Sequence, residues 1–318
     1  MANSNLSIAF LFPGQGSQFV GMGKDLALHY PVARQTFEEA DDALGYRLSQ
    51  VCFEGPEEKL KLTEVTQPAI LAVSVAALRV LEVKGLKPDF VAGHSLGEYS
   101  AHVAAGTLSF ADAVRTVRQR GRYMQEAVPV GVGGMAAILG MAMEKVIEVT
   151  KEAAQGEVCQ AANINSPEQI VISGHAAAVE RAVRLATARG AKKAVSLPVS
   201  APFHCALMQP AQERLAADLA GVQFANPKYP VVCNVDVAVV ETGEQARDAL
   251  VRQVTGTVRW AESVQRLIEM GAEPFVEVGP GKVLWGLMRQ IDRSKKCVVA
   301  GDEASLAKIP ATLAELCA

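Results

Sequence analysis

The chain has 318 residues, with 31 Lys and Arg against 34 Asp and Glu, a formal net charge of −3 that gives no reason to expect nucleic acid or a membrane surface as partner. Half of the residues are hydrophobic and a fifth are charged, the balance of an ordinary globular protein with room for one large domain, or for one domain carrying a smaller insertion. The six cysteines (Cys52, Cys159, Cys205, Cys233, Cys297 and Cys317) show no C-x-x-C and no His at metal spacing, so reduced thiols of a cytosolic protein are expected, with no metal site.

The first six residues, Met1 to Leu6, lack the basic and apolar regions of a signal peptide. The longest apolar run, Ala69 to Leu81, is broken by Ser74 and Arg79 and is too short to span a bilayer. A cytoplasmic protein without a membrane segment is therefore expected. No repeat or coiled-coil seam is visible, which favours a monomer.

The first predicted element is an apolar strand, Ser7 to Phe12, stopped by Pro13-Gly14-Gln15-Gly16. Gly14 and Gly16 after a strand invite a dinucleotide reading, but Phe19 stands where the third glycine belongs. Thr66 reads as an N-cap, with Pro68 in the first turn of an apolar helix ending near Gly85. A short buried strand, Asp89 to Ala92, runs into Gly93-His94-Ser95-Leu96-Gly97 and a small-residue helix to Ala105. Ser109 to Asp112 is a capping box opening the next helix, which runs through about Ala127. Alternating strands and helices argue for a mainly parallel α/β sheet.

Near residue 128 the texture changes, with Pro129, Gly131, Gly133 and Gly134 forming a hinge. Beyond it the pattern reads strand (Met135 to Leu139), helix (Met143 to Gln155), strand (Val158 to Ile164), strand (Ile170 to Ser173), helix (Ala176 to Arg189) and strand (Ala194 to Val199). That βαββαβ order is the ferredoxin-like unit. The expected organisation is a discontinuous core, 1–127 and 200–318, with 128–199 inserted as a subdomain. Strands Val231 to Asn234 and Pro274 to Val278, each followed by a helix, return to the main sheet.

Gly93-His94-Ser95-Leu96-Gly97 fits G-x-S-x-G between a strand and a helix, as a nucleophile elbow requires. Ser95 is the candidate nucleophile, and the backbone N–H of Leu96 with the positive end of the following helix would face the reacting carbonyl. His94 reads as a packing or hydrogen-bonding support of the elbow. Of the remaining histidines, His29 and His175 look like surface or capping residues, and His102 points along its helix rather than at Ser95. His204, in the Pro-rigidified loop after Ser200, is left as the base. On the helix after Ser109, the stripe Val114, Val117, Gly121, Met124 is the buried face. Arg118 and Arg120 both border that stripe, and periodicity does not choose between them.

The motifs Phe12-Pro-Gly-Gln-Gly-Ser-Gln18, Gly93-His-Ser-Leu-Gly-Glu-Tyr99, Arg120-Gly-Arg-Tyr-Met-Gln-Glu-Ala127, Ala162-Asn-Ile-Asn165, Pro202-Phe-His-Cys-Ala-Leu-Met208, Val251-Arg-Gln253 and Glu277-Val-Gly-Pro-Gly281 follow one another along nearly the whole chain. In this order they resemble the malonyl-CoA:acyl carrier protein transacylases of bacterial fatty-acid synthesis. The resemblance implies an α/β-hydrolase-like core with an inserted ferredoxin-like subdomain. It implies Ser95 as the acylated nucleophile, His204 as general base and acid, and the backbone N–H groups of Gln15 and Leu96 as the oxyanion hole.

The resemblance further implies Arg120 as the partner of the malonyl carboxylate, and the backbone carbonyl of Gln253 as the group orienting the histidine. Phe203, just before the base, resembles the malonyl-selective pattern of polyketide acyltransferases. The sequence departs from the family at Thr257, where Pro is common. The implied substrate is the coenzyme A thioester malonyl-CoA, and the implied partner is acyl carrier protein, which brings its own phosphopantetheine; no permanently bound cofactor is expected. A trans-acting polyketide malonyltransferase and an α/β serine hydrolase or thioesterase are the alternatives. The hydrolase needs an acidic residue such as Asp112 or Glu168 to complete a triad.

Overall fold

Apolar segments of two to eight residues, too short to be stable alone, assemble into two sheets. A computed structural model describes residues 7–199 and 201–309, so Met1 to Leu6, Ser200 and Cys317 lie outside the described residues. The strands in chain order are β1 (Ala9–Phe12), β2 (Phe90–Gly93), β3 (Gly133–Leu139), β4 (Cys159–Ser166), β5 (Gln169–His175), β6 (Lys193–Ser196), β7 (Val231–Val232), β8 (Val239–Val240), β9 (Phe275–Val278) and β10 (Cys297–Ala300).

The larger sheet has the order β10-β9-β1-β2-β7-β8 and is parallel except for the β7–β8 pair. Helices cover both faces, so the central strands are buried on both sides, as parallel sheets require. The period of two decides which face each side chain serves. Phe10 and Phe12 enter the core on one side, with Leu26, Phe37 and Ile70. Ala9 and Leu11 enter the other, with Trp260, Leu267 and Leu284. Each such large apolar side chain contributes about 1.5–3 kcal/mol by leaving water.

The smaller sheet is antiparallel, in the order β4-β5-β3-β6. Its helices Met143–Ala154 and Ala176–Ala188 share one core with Ile138, Ile170 and Ile172. The βαββαβ order read from the sequence is therefore the observed one. Hydrogen bonds tie β4 of the smaller sheet to the segment that precedes the helix Trp260–Glu269 of the larger unit: Ile164 N–H donates to the Val258 carbonyl at 2.9 Å, and Val258 N–H to that of Ala162 at 2.8 Å. Thr257, where the family commonly has Pro, adds its hydroxyl to the Ala161 carbonyl at 2.8 Å.

Several expectations need correction. The apolar helix runs Thr63–Val83 with Leu62 at its N-cap, so Thr66 does not cap it and Pro68 lies inside. The Thr66 hydroxyl instead donates back to the Leu60 carbonyl at 2.5 Å, while Pro68 forgoes the bond its N–H would make to Glu64. At 21 residues this helix is longer than the apolar run and long and apolar enough to cross a membrane, but 89% of its most apolar window is buried inside the protein. β7 ends at Val232 because the Asn234 N–H leaves the ladder for the Glu98 carboxylate, 3.0 Å away. β8 and β10 were not expected: the first has two residues, and the second is mostly half-exposed behind Lys295 and Lys296. Ser109 does cap its helix (Phe110–Glu126), accepting the Asp112 N–H, but the Asp112 carboxylate meets the Ser109 hydroxyl rather than closing a full capping box.

Candidate active site

The elbow is dictated by backbone crowding. A Cβ on Gly93 would lie 1.9 Å from the Gly97 carbonyl oxygen, and one on Gly97 would lie 2.0 Å from that of Phe12. Only hydrogen fits at either position. Between them Ser95 is held at φ 49°, a left-handed conformation costly for a side-chain-bearing residue. Asn234 holds the turn from both ends, accepting the Ser95 N–H at 2.8 Å and donating to the Gly93 carbonyl at 2.8 Å.

Ser95 Oγ lies 2.7 Å from His204 Nε2, and His204 Nδ1 lies 2.9 Å from the backbone carbonyl of Gln253. Because a carbonyl only accepts, Nδ1 carries the proton and Nε2 is left to receive that of the serine. Burial, with the Arg120 charge close by, pushes the His204 pKa down to about 3, so the ring is neutral and ready to act as a base across the neutral range. Neither acid weighed for a triad reaches it. Asp112 bonds Ser109 and Arg115, and Glu168 pairs with Lys192.

Arg120 is 1% exposed and enters the same cavity of about 140 Å³ as Ser95 and His204. Its Nη1 donates to Gln67 Oε1 at 2.9 Å; its Nη2 donates to Gln253 Oε1 at 2.9 Å and to Ser95 Oγ at 3.1 Å. All three acceptors are uncharged. Arg118, level with it by periodicity, turns instead over the Tyr46 ring at 5.2 Å. Gln15, Leu96 and the buried Phe203 also line the cavity. His94 directs Nε2 to Asn165 Oδ1 at 2.8 Å and packs its ring 5.5 Å from that of Trp260.

The other histidines stand apart from this chemistry. His29 contacts the Asp25 carbonyl, His175 accepts the Val158 N–H, and His102 is buried in the helix Gly97–Ala104. Cys52, Cys205 and Cys233 are buried free thiols, and Cys159 and Cys297 are partly buried ones.

The acyl transferase domain family matches residues 9–309. The malonyl CoA-acyl carrier protein transacylase of Escherichia coli K12 is 54% identical over 284 residues, 89% of this chain and 92% of that protein. That of Bacillus subtilis is 49% identical over 309 residues, covering 97% of this chain and 98% of the relative. This chain belongs to the malonyl-CoA:acyl carrier protein transacylase family. Among solved members, the Coxiella burnetii transacylase superposes with a TM-score of 0.95 at 45% identity, over 98% of both chains. A malonyl-transacylase in complex with a type II polyketide acyl carrier protein gives a TM-score of 0.93 at 50% identity, over 95% of this chain and 98% of that one.

Four polar residues of the transacylase site were given no role from the sequence: Gln67, Glu98, Asn165 and Asn234. Each could have been suspected as a polar residue inside or beside an otherwise apolar or small-residue element, as Glu98 is between Gly97 and Ala101. Gln67 was obscured by the misplaced cap, which set it in the first turn rather than inside a buried helix.

Proposed function

We propose that the protein moves a malonyl group from malonyl-CoA to the phosphopantetheine thiol of acyl carrier protein through a malonyl-Ser95 intermediate, supplying fatty-acid elongation. The observation that carries this reading is the Arg120 guanidinium, buried and within reach of the very serine oxygen that contacts the base. His204 Nε2 takes the Ser95 proton as Oγ attacks the thioester carbonyl. The oxyanion forms at the N–H groups of Gln15 and Leu96, and the coenzyme A sulfur leaves with the proton from His204. The carrier thiol then attacks the acyl-serine, His204 takes the thiol proton, and Ser95 recovers its own when the ester breaks. The Gln253 carbonyl keeps the ring in one tautomer throughout, and His94 supports the elbow.

In this reading 1–127 and 200–318 form the catalytic core, 128–199 is the inserted subdomain, and the enzyme is a cytoplasmic monomer without a resident cofactor. A polyketide carrier is the second reading, favoured by the relative solved with such a partner. Intact-mass analysis after mixing with malonyl-CoA should show one adduct of about 86 Da, the mass of a malonyl group, removed by carrier and only slowly by water. Rapid loss to water would point to the hydrolase instead.

Selectivity follows from the same arginine. An acetyl group gives the desolvated guanidinium no carboxylate, which disfavours the wrong substrate as well as favouring the right one. Arg120→Ala should cost malonyl kcat/KM about 2–5 kcal/mol, roughly 30- to several-thousand-fold, while acetyl transfer holds or rises. Arg120→Lys should recover only part, lacking the bidentate fork. The malonyl-to-acetyl ratio measured for Arg120→Ala and Arg118→Ala decides; a ratio that collapses only in Arg118→Ala would assign the clamp to the other arginine.

Docking of an acidic carrier would use exposed cations such as Lys192, Lys193, Lys282 and Arg289. Transfer to the carrier should then weaken with rising salt more steeply than acylation from malonyl-CoA does. Equal salt slopes for the two half-reactions would remove the patch.

A further inference from the structure

Glu98 is wholly buried in the first turn of the helix Gly97–Ala104, three residues after the nucleophile, and the mechanism above gives it no task. Its Oε2 accepts the Asn234 N–H at 3.0 Å and Gln253 Nε2 at 2.8 Å. Asn234 in turn holds the Ser95 N–H, and Gln253 Nε2 also donates to the Ser95 carbonyl at 3.0 Å. The other end of the Gln253 amide, Oε1, accepts from Arg120 Nη2 at 2.9 Å.

A carboxylate can only accept and a guanidinium can only donate, so these two groups fix which way the amide points. One neutral side chain thus joins a buried cation to a buried anion. The same residue presents the backbone carbonyl that sets the His204 tautomer. A buried guanidinium whose direct partners are all uncharged needs a counter-charge near by, and Glu98 is the group joined to it.

We infer that Glu98 is a positioning residue for malonyl transfer, acting through the Gln253 amide as the counter-charge of Arg120 and as the anchor of the loop that orients His204. This rests on the transfer reaction proposed above.

Glu98→Gln separates charge from hydrogen bonding, because the amide oxygen can still accept both bonds. Without the negative charge, Arg120 attracts the malonyl carboxylate at least as strongly, so half-saturation by malonyl-CoA stays the same or falls. The imidazolium that His204 becomes in the transition state loses the nearby negative charge of Glu98, since the malonyl carboxylate is already paired with Arg120. The maximal acylation rate therefore falls, by up to about tenfold for each unit lost in the basicity of the ring. A site merely loosened by the change would lose rate with a rise in half-saturation.

A second readout is pH. Burial pushes the Glu98 carboxyl up to about 7. The ionisable groups facing it are His102 on its own helix (Nε2 4.0 Å from Oε1), the adjoining Tyr99, Arg120 across Gln253, and Cys233 and Asp236 from the segment after β7. Protonation of Glu98 removes the counter-charge, so wild-type acylation should slow as pH falls through about 7. His204, held near 3, and His102, pushed down to about 4, do not titrate there.

The experiment is rapid-quench intact-mass measurement of malonyl-Ser95 formation between pH 5 and 9, for wild type and Glu98→Gln, with thermal melting alongside. A limb near pH 7 in wild type that is absent in Glu98→Gln, with a lower rate and no rise in half-saturation, is the expected result. A Glu98→Gln enzyme with wild-type rate and pH profile, or one slowed with half-saturation raised and the limb unmoved, would overturn the inference. Should Glu98→Gln fail to fold, the wild-type profile is read beside Glu277→Gln, because burial pushes the Glu277 carboxyl up to about 7 as well; a flat wild-type profile, or a limb lost in Glu277→Gln, overturns the inference. A wild type that takes no malonyl group would instead sink the proposed function.

Discussion

Ser95→Ala is expected to yield a folded protein that takes no malonyl group and transfers none. Alanine fits the elbow as serine does, since the crowding lies at Gly93 and Gly97, and φ 49° strains both residues alike. The Ser95 N–H keeps its bond to Asn234, and Arg120 keeps Gln67 and Gln253 after losing Oγ. Oγ gives up two hydrogen bonds, to His204 and to Arg120, so stability should fall by about 1–3 kcal/mol, the scale of two such bonds. Activity is different in kind, because the covalent intermediate has no other atom on which to form. Intact mass with malonyl-CoA and a thermal melt test both halves, and a folded variant that still gained the adduct would remove Ser95 from the role.

The elbow was legible in the sequence because its glycines answer to backbone contacts that no other residue tolerates, whatever surrounds them. The smaller sheet was legible for a related reason: β3, β4 and β5 are seven or eight residues long, and their helices carry a clear apolar face. β8 and β10 are too short or too exposed to leave a period. Arg118 and Arg120 show the limit of periodicity. Both border the apolar stripe, and the difference lies in what comes from elsewhere, the Tyr46 ring for one and Gln67 with Gln253 for the other. Glu98 and Asn234 stayed hidden because they act through contacts spanning 136 and 139 residues of chain.

His204→Ala should lower the rate of acylation by roughly 10²–10⁴, the usual contribution of a positioned acid–base group. The range follows from what the ring alone provides. It lies 2.7 Å from the hydroxyl oxygen whose proton it must take, it is neutral because burial and Arg120 depress its pKa, and its tautomer is fixed by the Gln253 carbonyl. Some rate should survive, since the elbow, the oxyanion donors and Arg120 remain in place. That carbonyl belongs to the main chain, so no substitution of an acidic side chain should match this loss. Asp112→Asn and Glu168→Gln should be near neutral, and Glu98→Gln should stay around tenfold. Single-turnover acylation rates for these variants, compared at equal thermal stability, order the groups. An Asp or Glu whose neutralisation equalled His204→Ala in an undamaged protein would restore a carboxylate to the triad and with it the hydrolase reading.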